Sequence, residues 1–162
     1  MDHRAEQLDA LKYFLARFSV SAHLRDDGLA AVSAWLPGHY GVLMPTLPRD
    51  KVMQIFFRHL TPWEGTLRGL NAIFDLAVFL GECVIARNPR AHWIELAAVS
   101  DEGEAMESAS QLGGISQRDG LDPMGEIIYI CEDDANDLRD MTPGERVRAD
   151  RLLGRVRDYA MR

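Results

Sequence analysis

Three polar side chains interrupt the most apolar stretch of this chain, Leu70 to Ala86, and their spacing brings them into line. Asn71, Asp75 and Glu82 stand at i, i+4 and i+11, along one face of a helix. Extended backwards, the line takes in Arg68 and Glu64. Two carboxylates on an otherwise apolar helix suit general acid–base chemistry, because burial raises a carboxylate's pKa towards the working range. The same groups also serve as halves of structural ion pairs, and Arg87 and Arg90 lie close enough in sequence to supply the other halves. Such pairs perturb pKa values too, so the pattern favours a structural role for Asp75 and Glu82. A small-ligand pocket beside them is the alternative, and a carboxylate-dependent hydrolase or transferase ranks below both.

Other chemistry lacks its residues. The histidines, His3, His23, His39, His59 and His92, never stand three or four apart, and none lies near a cysteine. No zinc site is legible, and neither a metal nor a cofactor is expected. The serines form no nucleophile elbow. Gly113-Gly114 has no following lysine and helix, so it is a turn and not a phosphate loop. Cys83 and Cys131 sit inside apolar runs and read as buried free thiols in a reducing compartment.

The second constellation is acidic. Glu132-Asp133-Asp134 is followed by Asp137 and Asp140. The run lacks the ligand alternation and glycine of a calcium loop. It reads either as a solvated cap on a short helix near Ala135 to Leu138 or as an anionic patch suited to basic side chains on a partner. Net charge is −7, with an acidic excess between Asp101 and Glu145 and an arginine-rich end from Arg146 to Arg162. If the two pack together, Arg146, Arg148 and Arg151 neutralise some of those acids. An acidic surface repels nucleic acid and draws cationic partners. Leu70 to Ala86 is too short and too charged to span a membrane, and Met1 to Glu6 has no signal-peptide character, so a cytoplasmic location is expected.

Positioning these groups requires a fold, and 162 residues with 47% hydrophobic composition suit one domain, 1–162. Leu8, Leu11, Phe14, Leu15 and Phe18 predict an amphipathic first helix. A second is expected from Asp26 or Asp27, as cap, to before Pro37-Gly38, followed by a loop to Pro48. Asp50 to Leu60 predicts a third, with Val52, Ile55, Phe56 and His59 inward. Thr61-Pro62-Trp63-Glu64 is a start signal for a helix running to Ala86, with Gly65 and Gly69 as weak points. Ala91 to Val99 reads as a strand, Asp101 to Glu104 as a turn, and Met106 to Leu112 as a strand or a helical turn. Asp119 to Gly125 reads as a loop and Glu126 to Cys131 as the clearest strand. Thr142-Pro143-Gly144-Glu145 opens a last helix. The expectation is an α+β fold: N-terminal helices around a central apolar helix, a small antiparallel sheet in the second half, and a C-terminal helix. Trp35, Trp63 and Trp93 are expected in the core, and an exposed Trp63 would instead be an interface anchor.

Phe79-Leu80-Gly81-Glu82-Cys83-Val84, followed by Ala91-His92-Trp93-Ile94, resembles a pattern in small bacterial α+β domains of unassigned or toxin-immunity type. There a long apolar helix ends in a Gly-Glu pair, and a strand with a tryptophan follows. Leu121-Asp122-Pro123-Met124 is similar to a later part of such domains. The motif is short and carries no catalytic residues across. It implies a protein that binds and neutralises a toxin delivered by a neighbouring cell. The expected function is therefore that of a non-enzymatic, cytoplasmic immunity protein. Its partner is a cationic protein, met by Glu132, Asp133, Asp134, Asp137 and Asp140, with no nucleic acid or membrane involved. Oligomeric state is not legible.

Overall fold

The computed structural model describes residues 3–45, 47–58, 62–99, 105–115, 120–142 and 148–161. Its helices, in order, are α1 (Arg4–Ala16), α2 (Asp26–Trp35), the one-turn α3 (Tyr40–Leu43), α4 (Arg49–Arg58) and α5 (Gly69–Ile85). Strands β1 (His92–Val99) and β2 (Ala105–Gly113) follow, then α6 (Pro123–Asp140) and α7 (Arg151–Ala160). The layout is α+β, as the composition of segments predicts: helices first, a two-stranded antiparallel sheet later, and a closing helix.

α5 is the hub. Leu70, Ile73, Leu76, Leu80, Cys83 and Val84 are wholly buried, and the helix packs against α6, α1 and α7. A helix that is apolar nearly all round has to be enclosed in this way. α1 contributes Leu11 and Leu15 to the core. The end of α1 meets the end of α2 in an aromatic group in which His39 stacks on Trp35 at 4.6 Å and Phe18 closes edge-on against His39.

Several boundaries differ from the sequence expectation. α2 includes Asp26, and neither Asp26 nor Asp27 caps it. Asp26 is taken by Arg87, whose Nη2 donates to it at 2.6 Å. That hydrogen bond, aided by the charge, holds the Asp26 carboxyl below its ordinary range. The stretch from Pro37 to Pro48 is not simply a loop, because a 3-10 turn (Leu36–Gly38) runs into it and α3 falls within it. The helix expected from Thr61 to Ala86 is divided. Thr61 lies outside the described residues, Gly65 adopts φ +58° at a separate 3-10 turn (Gly65–Leu67), and α5 proper starts at Gly69. His59 and the Asp101–Glu104 turn also lie outside the described residues.

Met106 to Leu112 proves to be strand. β2 pairs with β1 from His92 opposite Gly113 to Val99 opposite Ala105. Leu96 faces Ala109 and Ala98 faces Met106, so the extra residue of the irregularity between them belongs to β2.

The main correction concerns Glu126 to Cys131. It is not a strand but the first part of α6, an 18-residue helix that carries the acidic run to its end. Asp122 caps it by accepting from the Gly125 amide at 3.1 Å, and Pro123 occupies its first turn. Ile127, Ile130, Cys131 and Asp134 then recur at helical spacing on its buried side. α7 begins at Arg151, later than Thr142-Pro143-Gly144-Glu145 predicts, and residues 143–147 lie outside the described set. Its first turn is held by Ser33 of α2, whose buried hydroxyl donates to the Ala149 carbonyl at 2.8 Å and accepts from the Leu153 amide at 3.3 Å.

Candidate functional site

The polar line on α5 exists, and its three members have different fates. Asn71 is a clamp. Its Oδ1 accepts from the Trp63 amide at 3.0 Å, and its Nδ2 donates to the carbonyls of Trp63 and Arg68 at 2.8 and 3.0 Å. It thereby ties the incoming segment to the first turn of α5, and Trp63 is buried and so is not an exposed anchor.

Glu82 is also engaged, but not by an arginine. Its Oε1 accepts from Trp93 Nε1 at 2.7 Å. Gly81 makes this possible: a Cβ there would come within 2.3 Å of the Trp93 ring, so only glycine lets the indole lie on the helix. Arg4 of α1 places its guanidinium 5.3 Å from the centroid of the same ring, within cation–π range. Arg87 pairs with Asp26 and with the Cys83 carbonyl, so the expected Arg87 bridge to Asp75 or Glu82 is absent.

Asp75 has no hydrogen-bond or ion-pair partner among the described residues. It is half-buried on the apolar helix, and burial raises its carboxyl pKa to about 7. Seven residues of helix separate it from Glu82, about 10 Å along the axis. The two carboxylates therefore do not form a close acid–base couple.

The five acids at the end of α6 separate by face. Asp134 is fully buried rather than surface-exposed. Arg151 of α7 donates to Asp134 and to Asp137, each at 2.5 Å. Burial pushes the Asp134 carboxyl up, against the lowering effect of Arg151. Burial alone would lower the Arg151 guanidinium, and the hydrogen bonds and charges of the two carboxylates more than reverse it. One helix turn further along α7, Arg155 approaches Glu126 Oε2 at 3.1 Å, and the Tyr159 hydroxyl donates to Glu126 Oε1 at 2.7 Å. Arg151, Arg155 and Tyr159, spaced by four, thus make an antiparallel polar seam against Glu126, Asp134 and Asp137. The spacing of Arg151, Arg155 and Tyr159 is readable in the sequence, but a strand at Glu126 to Cys131 hides the acids that face it.

What the seam leaves on the outer face of α6 is Asp133, Asp140 and Asn136, all exposed, with Glu132 half-buried at the edge and the exposed Tyr129 one turn earlier. Arg139 lies among them, donating to Asn136 at 2.8 Å and standing 3.5 Å from Asp140.

No group of histidine, cysteine and carboxylate side chains among the described residues is arranged to hold a metal ion. Both cysteines are buried free thiols, and burial pushes Cys83 up to about 12 and Cys131 higher still, which makes them poor nucleophiles. Among the described residues no helix is long and apolar enough to cross a membrane. Comparison with family models, curated proteins and solved structures returned no match.

Proposed function

We propose that this chain is a cytoplasmic binding protein, an immunity protein that neutralises a bacterial toxin by direct contact, with the outer face of α6 as its docking surface. The observation that carries this reading is the division of the α6 acids. Arg151 takes Asp134 and Asp137 inward, whereas Asp133, Asp140 and Glu132 keep their charge outward beside Tyr129. Exposed tyrosine next to a net acidic surface is the composition of an interface anchor with electrostatic steering around it, and Arg139 offsets only Asp140 there. With a net charge of −7, the partner is a cationic protein and neither nucleic acid nor an anionic membrane.

The test is functional. Co-expression with a basic toxin encoded beside this gene should restore growth, and the purified pair should associate more slowly as salt is added. If no neighbouring product is bound or neutralised, the reading falls.

Asp75 supports a second reading, a small-ligand or regulatory site on α5. A half-buried carboxylate with no partner among the described residues and a pKa of about 7 is suited to holding a cationic or hydrogen-bonding ligand. Isothermal titration with small amines, comparing the parent with Asp75→Asn, tests it: heat lost in the variant supports the site, and no heat with the parent removes it.

A further inference from the structure

The seam between α6 and α7 sets more acids than arginines against each other. Glu126, Asp134 and Asp137 stand on the α6 side, and Arg151 and Arg155 on the α7 side. Arg151 is shared, with Nη1 donating to Asp134 Oδ1 and Nη2 to Asp137 Oδ2. The two carboxylates it serves are unlike. The Asp137 side chain is 40% exposed, so water solvates its charge, whereas that of Asp134 is 0% exposed. The second oxygen of Asp134, Oδ2, is buried and accepts no hydrogen bond among the described residues. Burying an oxygen that shares a full negative charge, with no donor to meet it, costs more than burying an unpartnered hydroxyl. Around Asp134 stand Arg151 from α7, and Asp133, Asp137 and the Cys131 thiol from α6 itself. α5, α3 and the 3-10 turn at Leu36–Gly38 pack on the other sides of α6, and among the described residues they bring no charge to bear on Asp134.

We propose that Asp134 is a proton-binding site that couples the docking of α7 to pH, so that α7 is held more tightly on mild acidification. A proton from solvent forms an O–H bond at Oδ2, and no contact to Arg151 breaks. Oδ1 goes on accepting from Nη1, and Asp137 keeps its charge against Nη2. The excess negative charge leaves the buried part of the seam, and the arginine keeps a charged partner on the solvated side. The direction of the carboxyl agrees: burial raises it above 3.8 although Arg151 pulls it down. A raised folded-state value means that the stabilisation is fully present below 3.8 and is lost as the pH climbs through the folded value.

This device lies on the inner face of α6 and does not depend on the reading of the outer face. Hydrogen exchange of the α7 amides, expressed as protection factors, tests it at about pH 5.5 and pH 8. The Asp75→Asn chain serves as background, because it removes the other carboxyl that burial raises. In that background α7 should be several-fold better protected at the lower pH. Adding Asp134→Asn, which is neutral at either pH, should abolish the difference and protect α7 better than the background at pH 8. Adding Asp137→Asn, on a partly solvated side chain, leaves Arg151 to Asp134 alone and should also remove the gain in acid. Equal or lower protection of the background at the lower pH overturns the proposal. So does either added substitution, in a folded chain, that leaves the full pH dependence in place.

Discussion

Asp75 and Glu82 start as equivalent carboxylates on one helix face, and their difference comes from what reaches them. Trp93 arrives at Glu82 because Gly81 leaves room for its ring, and nothing among the described residues arrives at Asp75. Asp75 therefore carries a folded-state pKa above its unfolded value. Its contribution to stability is fully present below the unfolded value, 3.8, and is lost as the pH rises through about 7. Asp75→Asn should abolish that slope and stabilise the protein at pH 8 by about 2 kcal/mol, the shift discounted for its solvent-facing side. Urea melts at pH 4 and pH 8 check this, and an unchanged pH slope in the variant would show that Asp75 is solvated. Gly81→Ala works the other way. The added methyl meets the Trp93 ring, so it should destabilise by about 1–3 kcal/mol and shift the Trp93 fluorescence as the indole is displaced.

At the scale of elements, the α6–α7 seam is the feature the sequence half disclosed. Removing Arg151 leaves Asp134 buried without its counter-charge, so Arg151→Ala should destabilise by about 3–5 kcal/mol in a chemical melt. Arg151→Met with Asp134→Asn should recover most of the loss, because the fully buried carboxylate loses its charge together with its partner and Asp137 is partly solvated. Failure of the double variant to recover would mean that Arg151 acts through packing alone. The first helix was readable from its helical spacing, the central helix from an apolar run too long for a strand, and β1 from a short apolar run set off by Asn88-Pro89. α6 was not. Ile127, Ile128, Tyr129 and Ile130 are β-branched or aromatic and mimic a strand over six residues, and the run is too short for periodicity to decide. The deciding signal was present just before it: Asp122-Pro123 is a cap followed by a first-turn proline. Reading it would have placed Glu126 on the face of Asp134 and Asp137. The polar line on α5 was legible as geometry, but its partners were not, because Trp93 is distant in sequence and no local rule links it to Glu82.

At the scale of the whole molecule, the fold is organised around α5, and charge is partitioned between an internal seam and an outer face. Phe79, almost fully buried on α5, is a fair gauge of the first: Phe79→Ala should cost about 3–5 kcal/mol, and a melt identical to the parent's would make α5 peripheral. The outer face of α6 is the central claim, and charge reversal probes it most directly. Asp133→Lys with Asp140→Lys should leave the melting temperature almost unchanged, because exposed charges contribute little to stability. Stopped-flow association of this variant and of the parent with the proposed partner, any basic toxin found encoded beside this gene, should be measured over a salt series. The account predicts that the variant associates at least tenfold more slowly at low salt and that the two rates converge as salt screens the field. Equal rates for parent and variant at every salt concentration would contradict it.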